Sequence, residues 1–244
     1  MPDRKQFSTA SVLDVFTEVL TARAGVVLET VHDETQLFVR SVLPQMKELQ
    51  PDDQLQFGVA LRATASEVLL CPYVLRPVCR NDAIMAGAIM GHSHSLWHLT
   101  DLNQKECAEA EHELRFALEC FFEDDVFEIL FREFQLAAQT QVDDEVLIHL
   151  SILLRLSLPN SPKLVCQILA RFFSEPDRTI SGLSKAITIA AHGSSDPEFR
   201  WQLENHGGAI VADNMNHSWD IKPPDNPHDR WLSLALLSWH WKTP

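Results

Sequence analysis

Glycine is scarce in this chain. Eight residues of 244 are too few for a Gly-rich linker protein and far from the one-in-three glycine of a collagen-like chain. Long apolar runs are missing too. No stretch of about 18 uncharged apolar residues occurs, so no membrane-spanning helix is expected. The first residues, MPDRKQFSTASVLDVF, have their apolar positions interrupted by Asp14 and Glu18 and do not make a signal-peptide core. A cytoplasmic protein is the resulting expectation. The five cysteines, Cys71, Cys79, Cys107, Cys120 and Cys166, are odd in number and contain no CxxC pair. They sit among apolar neighbours and read as buried free thiols, not as a disulfide scaffold or a zinc ribbon.

The usual catalytic signatures are also missing. There is no GxGxxG, no P-loop, no GxSxG and no HExxH, which removes the sequence basis for nucleotide binding at a helix N-terminus, for a nucleophile elbow and for a zincin frame. The segment Ala190–Pro197, AAHGSSDP, holds His, Ser and Asp in a row, but a triad converges in space and is not built by adjacency. The acidic pairs Asp52-Asp53, Asp124-Asp125 and Asp143-Asp144 diverge on either a strand or a helix. They make no acid–base couple by themselves.

Positive charge is in short supply: Lys and Arg number 20 against 34 Asp and Glu, a net charge of −14. The imbalance is local. Residues 1–100 carry 11 acids and 8 bases, residues 101–145 carry 14 acids and 3 bases, and residues 146–244 carry nine of each. A polyanion is repelled by the whole chain, so nucleic-acid binding would require a local basic patch in the first hundred residues. The acidic stretch reads as a solvated helix face or as a docking face for a basic partner.

What is present is ordinary globular material, 45% hydrophobic and 22% charged, in a length suited to one large domain or two small ones. Residues 9–23 carry Leu13, Phe16 and Leu20 at helical spacing, with Ser8 or Thr9 as cap and Gly25 following. Segments rich in β-branched and aromatic residues come next, at 26–31, 36–43, 55–64 and 68–78. The third alternates Leu55, Phe57, Val59 and Leu61 with Gln54, Gln56, Gly58, Ala60 and Arg62, the period of a half-buried strand. Pro44, Pro51 and Asp52 separate the second segment from the third. Beyond residue 100 the period turns helical, with Leu114, Leu118, Phe121, Phe122, Val126, Ile129, Leu130 and Phe134 on one face and acids on the other. Further helices are expected at 142–157, 162–173, 179–191 and 197–205, the last stopped by Gly207-Gly208. Residues 213–229 read as a Pro-rich extended connection, and Trp231–Trp241 as an apolar end that packs back on the core. The expectation is an α+β protein: a small, mostly antiparallel sheet in the N-terminal half (residues 1–100) and a helical part over 101–212 packed on it as one unit, with 213–244 following.

Two blocks of this sequence stand out: the first comprises QLFVRSVLP (Gln36–Pro44), PDDQLQFGVALRATASEV (Pro51–Val68) and PYVLRPVCRNDAI (Pro72–Ile84), and the second is SGLSKAITIAAHGSSDPEFRWQLENHGGAIV (Ser181–Val211). In this order they resemble a domain-of-unknown-function family of phage- and plasmid-related bacterial proteins. The chain has Asn81-Asp82 where that family has Asn-Gly, and Ser184-Lys185 where an Asn is common. The resemblance implies a bacterial, mobile-element-associated α+β protein and carries no established reaction.

Three functional readings follow. The first is a non-enzymatic binding protein. In it Arg40, Arg62, Arg76 and Arg80 share a sheet face, contact phosphates of single-stranded nucleic acid and leave Tyr73 or Phe57 to stack a base, or they meet a DNA-handling protein. The competing structural reading pairs these arginines with Glu67, Asp52, Asp53 and Asp82. The second is a metal-dependent enzyme built on GHSHSLWH (residues 91–98), with His92, His94 and His98 as ligands to a transition metal such as zinc; otherwise that segment is a polar loop and no cofactor is expected. The third is an interaction protein that binds through its acidic helices or its Trp-rich end.

Overall fold

The structure, a computed structural model, describes residues 8–33, 35–64, 67–77, 81–85, 94–97, 104–144, 147–148, 150 and 161–216. It is an α+β protein with an antiparallel sheet in the N-terminal half and helices in the C-terminal half. The chain divides into two compact units, Met1–Arg132 and Glu133–Pro244.

The first unit opens with helix α1 (Thr9–Ala22). Its apolar residues Val12, Val15, Phe16, Val19 and Leu20 are buried, and the Ser8 hydroxyl caps it by accepting from the Ser11 amide. The helix ends as Ala24 turns to φ 55°, and the Gly25 amide returns to the Leu20 carbonyl at 2.9 Å. The strands follow as β1 (Val26–His32), β2 (Gln36–Val42), β3 (Met46–Gln50), β4 (Asp53–Thr64), β5 (Glu67–Arg76), β6 (Asn81–Ile84) and β7 (His94–Trp97). All pair antiparallel, in the order β1-β2-β4-β5-β6, with β3 also on β4 and β7 also on β5.

The sheet is built around the β4–β5 hairpin, and each of these strands is flanked by two shorter ones placed end to end. Along β4, β2 covers the C-terminal half (Gln36↔Thr64 to Arg40↔Ala60) and β3 covers the beginning (Met46↔Gln56 to Gln50↔Asp53). At their joint the ladder is carried by a side chain: the Ser41 hydroxyl donates to the Val59 carbonyl at 2.8 Å, and the Leu43 amide donates to the Phe57 carbonyl at 2.7 Å. Gly58 permits this crossing, because a Cβ there would stand 1.8 Å from the Ser41 carbonyl oxygen. Along β5, β7 covers Glu67–Leu70 and β6 covers Tyr73–Arg76. Pro72 falls at this second joint. Its carbonyl accepts from the Met85 amide at 2.8 Å, so its donor-less nitrogen faces the same gap, where it interrupts neither β6 nor β7.

Three of these strands were not expected from the sequence: β3, β7 and the four-residue β6 (Asn81–Ile84), which lies beyond the last expected β segment at 68–78. Strand β3 (MKELQ) lies between prolines and has one ladder partner, so neither apolar alternation nor burial marks it. Strand β7 falls in the segment expected as a polar loop and instead extends the sheet.

Alternation assigns the two faces. Leu37, Val39, Leu55, Phe57, Val59, Leu61, Val68, Leu70 and Val74 share one, and all are buried. Phe57 stacks on Phe127 (ring centroids 5.5 Å apart), and the Lys47 ammonium lies 5.5 and 4.9 Å from the ring centroids of Phe127 and Phe131 while pairing with Glu128. These contacts seat the first half of helix α3 (Asp124–Gln139) on this face. Helix α2 (Gln104–Phe121) packs on α1, where Arg115 grips Glu18 through two parallel bonds of 3.0 and 2.9 Å.

In the second unit, helices α4 (Ser161–Ser174), α5 (Ile180–His192) and α6 (Pro197–Asn216) follow in order. The Arg178 guanidinium caps the end of α4, donating to the Phe172, Phe173 and Glu175 carbonyls. Thr179 caps the start of α5 and pairs with Gln141 across an isolated bridge. Helix α6 does not stop at Gly207-Gly208 as expected but runs through to Asn216. Packing accounts for this. A Cβ on Gly207 would meet Thr188 Cγ2 at 2.5 Å, and the Gly207 carbonyl accepts from the Ser184 hydroxyl at 2.7 Å. The glycine that reads as a helix stop instead lets α5 and α6 approach closely.

Candidate functional site

The sheet arginines were the first candidates, and their positions follow from register. Arg40 and Arg62 point to the face opposite the apolar one, together with Phe38, Ala60, Cys71 and Tyr73. Arg76 points to the other face, because it sits one residue out of phase with Tyr73 and Leu75. The four arginines therefore do not share a surface; Arg80 lies outside the described residues.

Burial narrows the set further. Arg40 is 1% exposed and lies directly across the ladder from Glu29, which accepts from its Nη1 at 3.1 Å. Arg76 is 5% exposed and faces Asp53 at 3.8 Å, a diagonal neighbour on the same face. A guanidinium taken out of water must be paired, and these two are paired inside the fold. Arg62 is half-buried between Phe38 and Leu69 in the ladder. Tyr73 is fully buried beside Gly58 and Ile84, and Phe57 is buried against Phe127. Neither ring is placed to stack on a base from solvent. Asp53 belonged to the carboxylates expected as partners from the sequence, but Glu29 did not. Its role needed the β1–β2 register, which has a bulge between Val27 and Glu29.

Of the histidines, His92 and His98 lie outside the described residues. His94 belongs to β7, opposite Leu70, and its side chain also lies outside them. Among the described residues no group of three or more His, Cys, Asp or Glu is arranged to hold a metal ion. No described helix is long and apolar enough to cross a membrane.

The nucleophile candidates resolve into structural roles. Cys71 is fully buried, and burial together with the nearby Glu67 charge pushes its thiol up to about 12, so it stays protonated and unreactive at neutral pH. Cys79 lies outside the described residues. In the His–Ser–Asp run, His192 Nδ1 lies 3.1 Å from the Thr188 carbonyl, while Asp196 caps α6 by accepting from the Glu198 and Phe199 amides at 3.0 and 3.3 Å. His206 is held below its ordinary value by burial.

The remaining feature is the outer face of α2. Glu109, Glu113 and Glu119 are exposed along it. Between Glu113 and Glu119, three residues from each and so adjacent to both on the helix surface, Phe116 stands 60% exposed. Lys105 pairs with Glu109 at 3.5 Å, and Arg115 is turned to Glu18 on α1. The face combines one large apolar ring with a surplus of carboxylates. Compared with known protein families, curated proteins and solved structures, the chain matches none.

Proposed function

We propose that this protein acts by binding and not by catalysis, as a member of the phage- or plasmid-borne type that the sequence resemblance implies, and that it meets a basic protein partner of the DNA-handling kind through the outer face of α2. The observation that carries the reading is the division of charge. Two of the four arginines that would serve a polyanion are engaged inside the fold, Arg40 by Glu29 and Arg76 by Asp53. Carboxylates remain on the solvent side of α2 around an exposed aromatic ring. Such a surface favours a partner presenting Lys or Arg around an apolar recess: charge steers the encounter and the ring supplies desolvated contact.

Calorimetric titration of the full chain with a lysine-rich peptide tests this. The variant Glu113→Gln/Phe116→Ser/Glu119→Gln is expected to bind about tenfold more weakly than the parent, equivalent to roughly 1.4 kcal/mol. Glu48→Gln/Asp52→Asn removes the same number of exposed charges on the β3–β4 hairpin and is expected to stay within about twofold, since distant surface charges are screened at physiological salt. Equal weakening by both variants, or no binding by the parent chain, overturns the assignment to α2.

A further inference from the structure

We draw no further inference here: the strongest candidate, the outer edge of the sheet at β1, where Val26 and Leu28 stand 59% and 45% exposed on a strand whose ladder partner is β2, carries nothing because nothing in the structure shows what covers it.

Discussion

Replacing Gly58 by Ala probes the construction of the sheet at its narrowest point. The added Cβ would lie 1.8 Å from the Ser41 carbonyl oxygen, 2.6 Å from the Ser41 carbonyl carbon and 2.7 Å from Val42 Cα. All three are backbone atoms, so no rotamer change relieves the clash. Strand β2 must withdraw by more than about 1 Å, which a close-packed interior does not absorb. Overpacking of this kind costs about 1–3 kcal/mol. The withdrawal also stretches the Ser41 hydroxyl bond to Val59 and the Leu43 amide bond to Phe57, each contributing about 1 kcal/mol. The expected loss is therefore about 3–5 kcal/mol, a large part of the roughly 5–15 kcal/mol that holds a domain folded. Urea unfolding followed by circular dichroism reads the shift. Hydrogen exchange at the Leu43 amide shows whether β2 is the element that loosens. Gly193→Ala is the control. Its Cβ would meet nothing nearer than the Ala190 carbonyl at 3.6 Å, and the backbone there is already right-handed helical at φ −75°. That substitution is expected to be neutral or to stabilise by about 0.4–1 kcal/mol. A Gly58→Ala variant within about 0.5 kcal/mol of the parent, at the level of an ordinary surface substitution, would refute the close crossing of β2 over β4.

Three further outcomes follow from particular contacts. Gly207→Ala should destabilise the second unit by about 1–2 kcal/mol through its clash with Thr188 Cγ2, and Thr188→Ser should recover most of that loss in the double variant; additive effects in unfolding experiments would contradict the tight α5–α6 contact. Glu29→Ala leaves the buried Arg40 guanidinium without its cross-strand carboxylate and should cost about 1–3 kcal/mol, discounted from the full cost of breaking a buried pair because the Glu29 side chain is itself 34% exposed; an unchanged melting temperature would oppose the pairing. Asp33 is held at about 2, chiefly by the Thr35 backbone amide and then by the Thr35 hydroxyl. A carboxyl depressed on folding contributes stability above its ordinary range and loses it as pH falls from about 4 through about 2. An NMR titration should find Asp33 low and Thr35→Ala should raise it, whereas an ordinary value in the parent chain would contradict the turn.

The chain announces much of its architecture. Leu55, Phe57, Val59 and Leu61 alternate cleanly because β4 is central and one of its faces is wholly apolar, and Ser8 caps α1 as its residue type announces, whereas the left-handed C-terminal position falls on Ala24, one residue before Gly25. What it does not announce depends on contacts between elements. Strand β3 is short, polar and peripheral, so its pairing with β4 leaves no periodic trace. The Gly207-Gly208 pair carries a local preference for ending a helix, and the demand for close approach to Thr188 and Ser184 overrides it. For the candidate site, alternation within one strand places neighbouring residues on a face but is silent on how strands align. That is why Arg40 and Arg62 emerge together while Arg76 faces away, and why Glu29 became visible as a partner only through the β1–β2 register. The acid-rich composition of residues 101–145 was legible; that Phe116 stands exposed among those acids required the packing of α2 on α1.

The central claim is that α2 presents anionic charge outward while Arg40 and Arg76 of the sheet are held inward by carboxylates. Its most direct test compares two labelled ligands by fluorescence anisotropy on the full chain at low salt: a single-stranded oligonucleotide and a lysine-rich peptide of similar size. The account predicts that the peptide binds, with affinity falling as salt is added, and that the oligonucleotide does not. Oligonucleotide binding that weakens in an Arg40→Ala/Arg76→Ala variant retaining the parent's circular dichroism spectrum would contradict it.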